Sequence, residues 1–205
     1  MLRYAEEHLS TTGDGLRRLR LYINDEDDEF QKVASDMGYV KGNERDPISH
    51  FLIPAPFPAI PLPPGFRLTS LAENNDPRKV ARVLWRGFDH GDGPPDEGHR
   101  DRKLIESAPS FRKDLHIVVE APDGNFVSYC GMWYEPVHSI AYVEPVATDP
   151  GYRRMGLGRA AMLEGIRRCG ELGATMACVG TTKPFYLSLG FRLVYGSYPW
   201  QREWT

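Results

Sequence analysis

The 205-residue chain balances 25 Lys and Arg against 28 Asp and Glu, for a net charge of −3, and 41% of it is hydrophobic. This composition excludes disorder throughout and argues against a dedicated nucleic-acid binder, and no apolar run approaches the ~20 residues of a membrane span. Leu2-Arg3-Tyr4-Ala5-Glu6-Glu7 lacks the apolar core of a signal peptide, and Cys130, Cys169 and Cys178 lack CxxC spacing, so the expectation is a soluble cytoplasmic protein with no disulfide framework, metal, nucleic-acid partner or membrane partner.

Met1-Leu2 opens a predicted helix that ends near Gly13-Asp14-Gly15, and a strand follows at 19–23. A second helix runs through Phe30, Val33, Ala34 and Met37; Gly38-Tyr39 stops it, and a strand ends at 50–53. Six of the 17 prolines then fall between Pro54 and Pro64. Proline fixes φ and cannot donate to a ladder, so 54–64 reads as an extended connector dividing residues 1–53 from 65–205. Beyond it, 66–71 alternates like a strand. Asp76-Pro77 supplies an N-cap and an N1 proline for an amphipathic helix through Val80, Val83, Leu84 and Phe88. Residues 89–95 break the pattern before a second helix near 100–107. Strands at 115–120, 126–134 and 139–148 follow, the first two joined by the turn signal Asp123-Gly124-Asn125. A helix from Gly158 to about Leu172, capped by Gly173, leads to a strand at 175–180, a short helix at 184–189 stopped by Gly190, and strands toward Trp204. This order predicts an α/β fold, a mixed sheet with helices on its faces.

Residues 144–159 read as strand, turn, Gly-rich loop and helix. Gly156 and Gly158 let the backbone approach a ligand closely, and the helix that follows offers unpaired N–H groups and a positive dipole end. Arg153, Arg154 and Arg159 add charge, which makes an anion site suited to a pyrophosphate. No Lys-Ser/Thr follows the glycines, which excludes a P-loop. The spacing is not GxGxxG, and no acidic residue ends a following parallel strand, which argues against a dinucleotide fold. The glycines alone are equally well read as turn residues; the arginines and the preceding strand favour a ligand.

Arg153-x-x-Gly156-x-Gly158 matches an Arg/Gln-x-x-Gly-x-Gly/Ala signature, and Tyr186-Leu187-Ser188-Leu189-Gly190-Phe191 matches a Tyr-x-x-x-Gly-Phe pattern. In both motifs, and in their order, residues 65–205 resemble the GNAT superfamily of acyl-CoA-dependent N-acetyltransferases. The resemblance implies a mainly antiparallel sheet with flanking helices and a splayed fourth and fifth strand. It implies acetyl-CoA as co-substrate and no metal. Val146, Ala147 and Thr148 would pair with pantetheine as an added strand would, and Arg153, Arg154, Met155, Gly156, Leu157, Gly158 and Arg159 would hold the pyrophosphate. Tyr186 would be the general acid that protonates the departing thiolate.

Many members carry an Asn ahead of this Tyr; here the stretch is Gly180-Thr181-Thr182-Lys183-Pro184, with Thr182 as the hydrogen-bonding replacement. The family's carboxylate base points to Glu144, which a strict period of two puts on the face of Val146. Tyr142 stands where some members place the carboxylate, and Pro145 can bulge the strand and re-aim Glu144. His138, in a predicted turn, reads as a surface residue. The acceptor, a small-molecule or peptide amine, is framed by the strand pair near Trp133 and Tyr134 and by a loop holding Asp89, His90, Asp92, Asp96 and Glu97. That loop suits a cationic amine and is equally well read as a solvated charged turn.

Residues 1–53 echo the end of the chain: helix, strand, helix, glycine, strand. Aligning Gly38 with Gly190 puts Ala34 at the position of Tyr186, so the copy lacks the acid, and no Gly-rich loop precedes it. The segment reads as a partial GNAT-like C-terminal half, as in tandem GNAT proteins, or as a generic α/β extension. Its sheet edge and apolar helix faces call for packing on the catalytic unit or on a second subunit, as in a homodimer. Two rival functions stand beside the enzyme: a non-catalytic acyl-CoA-binding or sensor module, and a nucleotide-phosphate protein.

Overall fold

A Thr-Thr pair followed by Asp-Gly is a hairpin signal, and it overrides the helix expected to reach Gly13. In the computed structural model, which describes residues 1–94 and 98–205, helix α1 (Leu2–His8) gives way to strands β1 (Thr11–Gly13) and β2 (Leu16–Asn24). Asp14 and Gly15 turn between them with φ of 54° and 76°, the left-handed pair that a two-residue hairpin turn needs. Helix α2 (Asp28–Asp36) starts where the Asp27 side chain accepts the Phe30 N–H at 2.9 Å, and it stops before Gly38, at φ 84°. Strands β3 (Val40–Lys41) and β4 (Asp46–Leu52) follow. Between β4 and Arg67 there is no helix or strand, as six prolines require.

Strand β5 (Arg67–Ser70) leads to α3 (Pro77–Gly87), whose first turn is closed by the Asp76 carboxylate accepting the Arg78 and Lys79 N–H groups at 3.0 and 3.2 Å. Then come α4 (Gly98–Glu106), β6 (Ile117–Glu120), β7 (Phe126–Glu135), β8 (Ile140–Thr148), α5 (Leu157–Glu171), β9 (Met176–Val179), α6 (Pro184–Leu189) and β10 (Arg192–Trp204). The strands expected toward Trp204 are therefore one strand of 13 residues. Gly196 makes no turn within it: a Cβ there would lie 2.6 Å from Arg45 Nε and 3.0 Å from the Asp46 carbonyl oxygen, so the glycine serves a close approach.

Two compact units result. Met1–Ser49 with Gly180–Thr205 forms the first, in strand order β1-β2-β10-β4 with β3 also on β10, around Leu19, Ile23, Ala34, Tyr39 and Trp200. His50–Val179 forms the second. There β5, β6, β7 and β8 make an antiparallel meander and β9 lies parallel to β8, a mixed and mostly antiparallel sheet with flanking helices. On one face Val80 and Val83 of α3 pack with Val118, Phe126 and Tyr129. On the other, Gly165 of α5 sits so close that a Cβ would lie 2.6 Å from Met132 Cγ. Among the described residues no helix is long and apolar enough to cross a membrane.

β7 and β8 pair Cys130 with Val146 and Met132 with Val143, so Glu144 and Pro145 together oppose the single residue Gly131. This is a β-bulge, and it reverses the face expected for Glu144. Val143 and Val146 both lie on the α5 face with Met132 and Cys130, which leaves Glu144 on the α3 face with Trp133 and Tyr142. Gly131 has to be glycine: a Cβ would stand 2.5 Å from the Glu144 carbonyl oxygen. Gly131→Ala should destabilise the protein by about 1–3 kcal/mol in urea unfolding. Gly165→Ala meets a flexible Met side chain rather than main chain and regains helix propensity, so it should cost less.

Candidate active site

At the end of β8 the chain enters a short turn, Pro150–Tyr152, then a loop and α5. Asp149 is buried there and accepts from Gly151 N–H (3.0 Å), Arg86 Nε (2.6 Å) and Arg86 Nη2 (3.3 Å), with Arg82 Nη1 at 3.5 Å. Burial pushes its carboxyl up, but the Arg86 hydrogen bond, the Gly151 N–H and the two guanidinium charges outweigh that and hold it below the usual 3.8. Asp149 thereby ties α3 to the root of the loop. Gly87 permits the contact, since a Cβ there would be 2.7 Å from Ala147 Cβ and 2.9 Å from Thr148 N.

Arg153 serves the same join. Its guanidinium donates to the carbonyls of Thr148 (3.3 Å) and Gly87 (2.9 Å) and to Asp89 (2.8 Å). Arg154 and Arg159 are exposed and make no hydrogen bond or ion pair among the described residues. Arg154 has φ 66° and Gly156 φ 81°. A non-glycine residue held left-handed costs roughly 1–2 kcal/mol, and such residues turn successive N–H groups into an anion-binding concavity. Gly156 caps α5 without any side chain, so the first N–H groups of a 15-residue helix, from Leu157, Gly158 and Arg159, point at whatever lies before it. No atom comes within 4 Å of a Cβ built on Gly156, so that side is open. On β8, Ile140, Ala141 and Tyr142 pair with Met176, Ala177 and Cys178 of β9. Val146, Ala147 and Thr148 lie beyond that pairing, next to the loop, with Ala147 buried and the other two half-buried.

Glu144 is exposed, and its carboxylate has no partner among the described residues. Its carbonyl accepts the Trp133 Nε1–H at 3.0 Å. Burial first, and then the Glu144 charge, raise the Tyr142 phenol above its ordinary value. In the predicted acceptor loop, Asp89 is paired with Arg153 and Asp92 with Arg86 at 2.8 Å, so both charges are already met. His90 packs on Trp85, with centroids 5.0 Å apart. Asp96 and Glu97 lie outside the described residues. His138 is in a surface turn, paired with Glu135 at 2.7 Å.

Behind Gly131 lies a buried polar chain that the sequence did not single out. Arg102 of α4 donates through Nη2 to the Tyr129 hydroxyl at 2.5 Å, and that hydroxyl is 2.5 Å from His116 Nδ1. All three residues are buried. A guanidinium only donates, so the Tyr129 proton is left for Nδ1, which puts the imidazole's own proton on Nε2. Phe111 stacks on His116 with centroids 3.8 Å apart, and Trp133 stands edge-on to both rings. Burial, then the Arg102 charge, lower the His116 pKa to about 3 against an opposing pull from Asp114, so the ring is neutral at physiological pH. On α4 the apolar Leu104 and Ile105 are exposed while Arg102 is buried.

Thr182 and Tyr186 belong to the first unit. Thr182 precedes α6 and is half-buried. Tyr186 lies within α6, edge-on to Phe185 (5.1 Å) and to Phe191 (6.0 Å).

A mostly antiparallel sheet whose bulged strand runs through a Gly-rich loop into a helix without a side-chain cap defines an acyltransferase-type fold. The model of the Acetyltransferase (GNAT) family matches residues 79–191, and the chain belongs to that family. A mycothiol acetyltransferase of Saccharomonospora viridis is 25% identical over 193 residues, 86% of this chain and 62% of its own length. A GCN5-related N-acetyltransferase from Sphaerobacter thermophilus is similar in structure, with a TM-score of 0.67 and 16% identity over 92% of this chain and 60% of its own. A tandem GNAT protein from the clavulanic acid biosynthesis pathway has a TM-score of 0.65 and 12% identity over 91% of this chain and 64% of its own. The chain thus spans about three fifths of the length of these relatives.

The His116 environment has a consequence for stability. The imidazole titrates near 6.5 when unfolded and near 3 when folded, so between those values the unfolded state binds the extra proton. The stability it confers is complete above about pH 6.5 and is lost progressively as pH falls toward 3. Unfolding free energy measured from pH 7 to pH 4 should carry a component of up to about 1.4 kcal/mol per pH unit, and His116→Asn should remove it.

Proposed function

We propose that this protein transfers the acetyl group of acetyl-CoA directly to a primary amine of a small-molecule or peptide acceptor. The observation that carries the reading is the uncapped start of α5 behind two left-handed residues, next to the stretch of β8 left beyond its pairing with β9. That loop suits a pyrophosphate, and the adjacent strand edge suits the amides of a pantetheine arm. Arg154 and Arg159 supply charge, while Arg153 shapes the loop through the Thr148, Gly87 and Asp89 contacts. Thr182 adds a hydroxyl ahead of Tyr186.

Acetyl-CoA brings the activated thioester; the chain's residues position the reactants and move protons. Glu144, on the α3 face of the bulge, takes a proton from the acceptor ammonium. The free amine attacks the thioester carbonyl, the carbon–sulfur bond breaks, and the Tyr186 hydroxyl gives its proton to the departing thiolate; the second proton that the nitrogen sheds as the amide forms restores the tyrosine.

Residues 1–53 are, in this reading, a degenerate copy of the second half of a GNAT unit, followed by a connector at 54–64 and a complete unit at 65–205. Support comes from matched helix ends. The Tyr39 N–H donates to the Ala34 carbonyl at 3.0 Å, and the Phe191 N–H to the Tyr186 carbonyl at 3.2 Å. Gly38 and Gly190 are left-handed at 84° and 106°. Ala34 stands in the place of the proposed acid.

Acetyl-CoA-dependent acetylation of an amine panel, with Tyr186→Phe alongside the wild type, tests the proposal. The variant should lose roughly 10²–10⁴-fold in kcat while acetyl-CoA still raises its melting temperature. An unchanged kcat would remove Tyr186 from the chemistry. A wild type that binds acetyl-CoA but acetylates no amine would instead mark a binding module.

A further inference from the structure

We propose that Trp133 and Tyr142, backed by Phe111 and His116, form the acceptor-binding wall, and that the acceptor is a primary amine carried on a ring whose face stacks on it. The inference rests on the reading of the chain as an acetyl-CoA-dependent N-acetyltransferase and names the substrate class for that site.

Three observations place the acceptor here. Trp133 and Tyr142 are directly opposed across β7 and β8 on the α3 face, the face to which the bulge delivers Glu144. Tyr142 is 36% exposed and Trp133 half-buried, so both present ring surface to solvent beside the one carboxylate proposed as base. Charge agrees: Asp89 and Asp92 are neutralised by Arg153 and Arg86, whereas Glu144 has no partner among the described residues. An ammonium is therefore drawn to Glu144, with the rest of its molecule over the rings, where cation–π attraction adds to stacking.

The wall is also held rigidly. The Trp133 indole N–H is tied to the Glu144 carbonyl at 3.0 Å, and its ring stands against Phe111 at 5.8 Å and His116 at 5.6 Å. His116 is fixed in turn by Tyr129, and Tyr129 by Arg102. Among the described residues, His116 Nε2, Arg102 Nε, Glu106 Oε1 and Asn75 Oδ1 are buried without a hydrogen bond, Arg102 Nε and Glu106 Oε1 being only ion-paired at 3.9 Å. Ring positions held at that expense suit the pre-organisation of a binding surface. Because Arg102 and burial keep the imidazole neutral, no charge appears on His116 to repel an approaching ammonium.

The test measures kcat/KM of the full chain with acetyl-CoA for tryptamine, phenethylamine and glucosamine against putrescine and glycine. The ring-bearing amines should lead by about tenfold or more, and the order among them tells an aromatic acceptor from a sugar. Trp133→Ala should raise KM for the preferred amine about tenfold while leaving the acetyl-CoA KM unchanged, and Trp133→Phe should restore most of the loss. Acetyl-CoA-induced thermal stabilisation of each variant verifies its fold. Open-chain amines equal to or better than ring-bearing ones, or an amine KM indifferent to Trp133→Ala, would overturn the inference while the acetyltransferase reading stands. A panel left unacetylated by a protein that acetyl-CoA stabilises would overturn the inference together with the transferase reading and leave a binding module. A protein that acetyl-CoA neither stabilises nor serves as donor would overturn that reading itself.

Discussion

The main chains of β7 and β8 come together at residue 131, where even a methyl group would press on the carbonyl of Glu144. Packed interiors resist such an overlap, so glycine there allows two residues of β8 to be spent against one of β7. The extra residue changes the parity of the strand. Valines 143 and 146 both turn toward α5, Glu144 emerges on the α3 side, and the His116 ring fits so closely behind that a Cβ on residue 131 would lie 3.0 Å from Nδ1. The Trp133 indole then closes the arrangement by binding the bulged carbonyl.

The other end of β8 is held by charge. Asp149 is buried and engages two arginines of α3, while Arg153 reaches back to the end of the same helix. A buried carboxylate costs desolvation, and here paired guanidinium groups and a backbone N–H offset it. The loop rooted on that network can hold Arg154 in an unfavourable left-handed conformation and leave the α5 N–H groups uncapped. Stable packing of α3 on the strand is thus the condition for a loop that keeps its own hydrogen-bonding capacity for a ligand.

Much of this was legible in the residues. Asp76-Pro77, Asp123-Gly124-Asn125 and Gly190 act through local backbone geometry and marked their elements correctly. The paired motifs around Gly156 and Tyr186 led to the family that matches residues 79–191. What failed depends on partners distant in sequence. Glu144 was put on the face of Val146 because a period of two cannot count a bulge. The contacts of Arg153 with Gly87 and Asp89 were not legible either, and the acidic loop looked open until Arg86 and Arg153 met two of its charges. Arg102 and His116 left no trace, because a buried guanidinium on α4 depends on Tyr129 and His116, which are distant in sequence.

A thermal-shift comparison of acetyl-CoA, CoA, ATP and NAD tests the central claim most directly, because a ligand that binds only the native state raises apparent stability by an amount that grows with the logarithm of its affinity. Acetyl-CoA and CoA should both raise the melting temperature, with ATP and NAD ineffective at the same concentration. Stabilisation by ATP or NAD without any by CoA would contradict the account, since the loop would then be a nucleotide-phosphate site and the edge of β8 would have no pantetheine to hold.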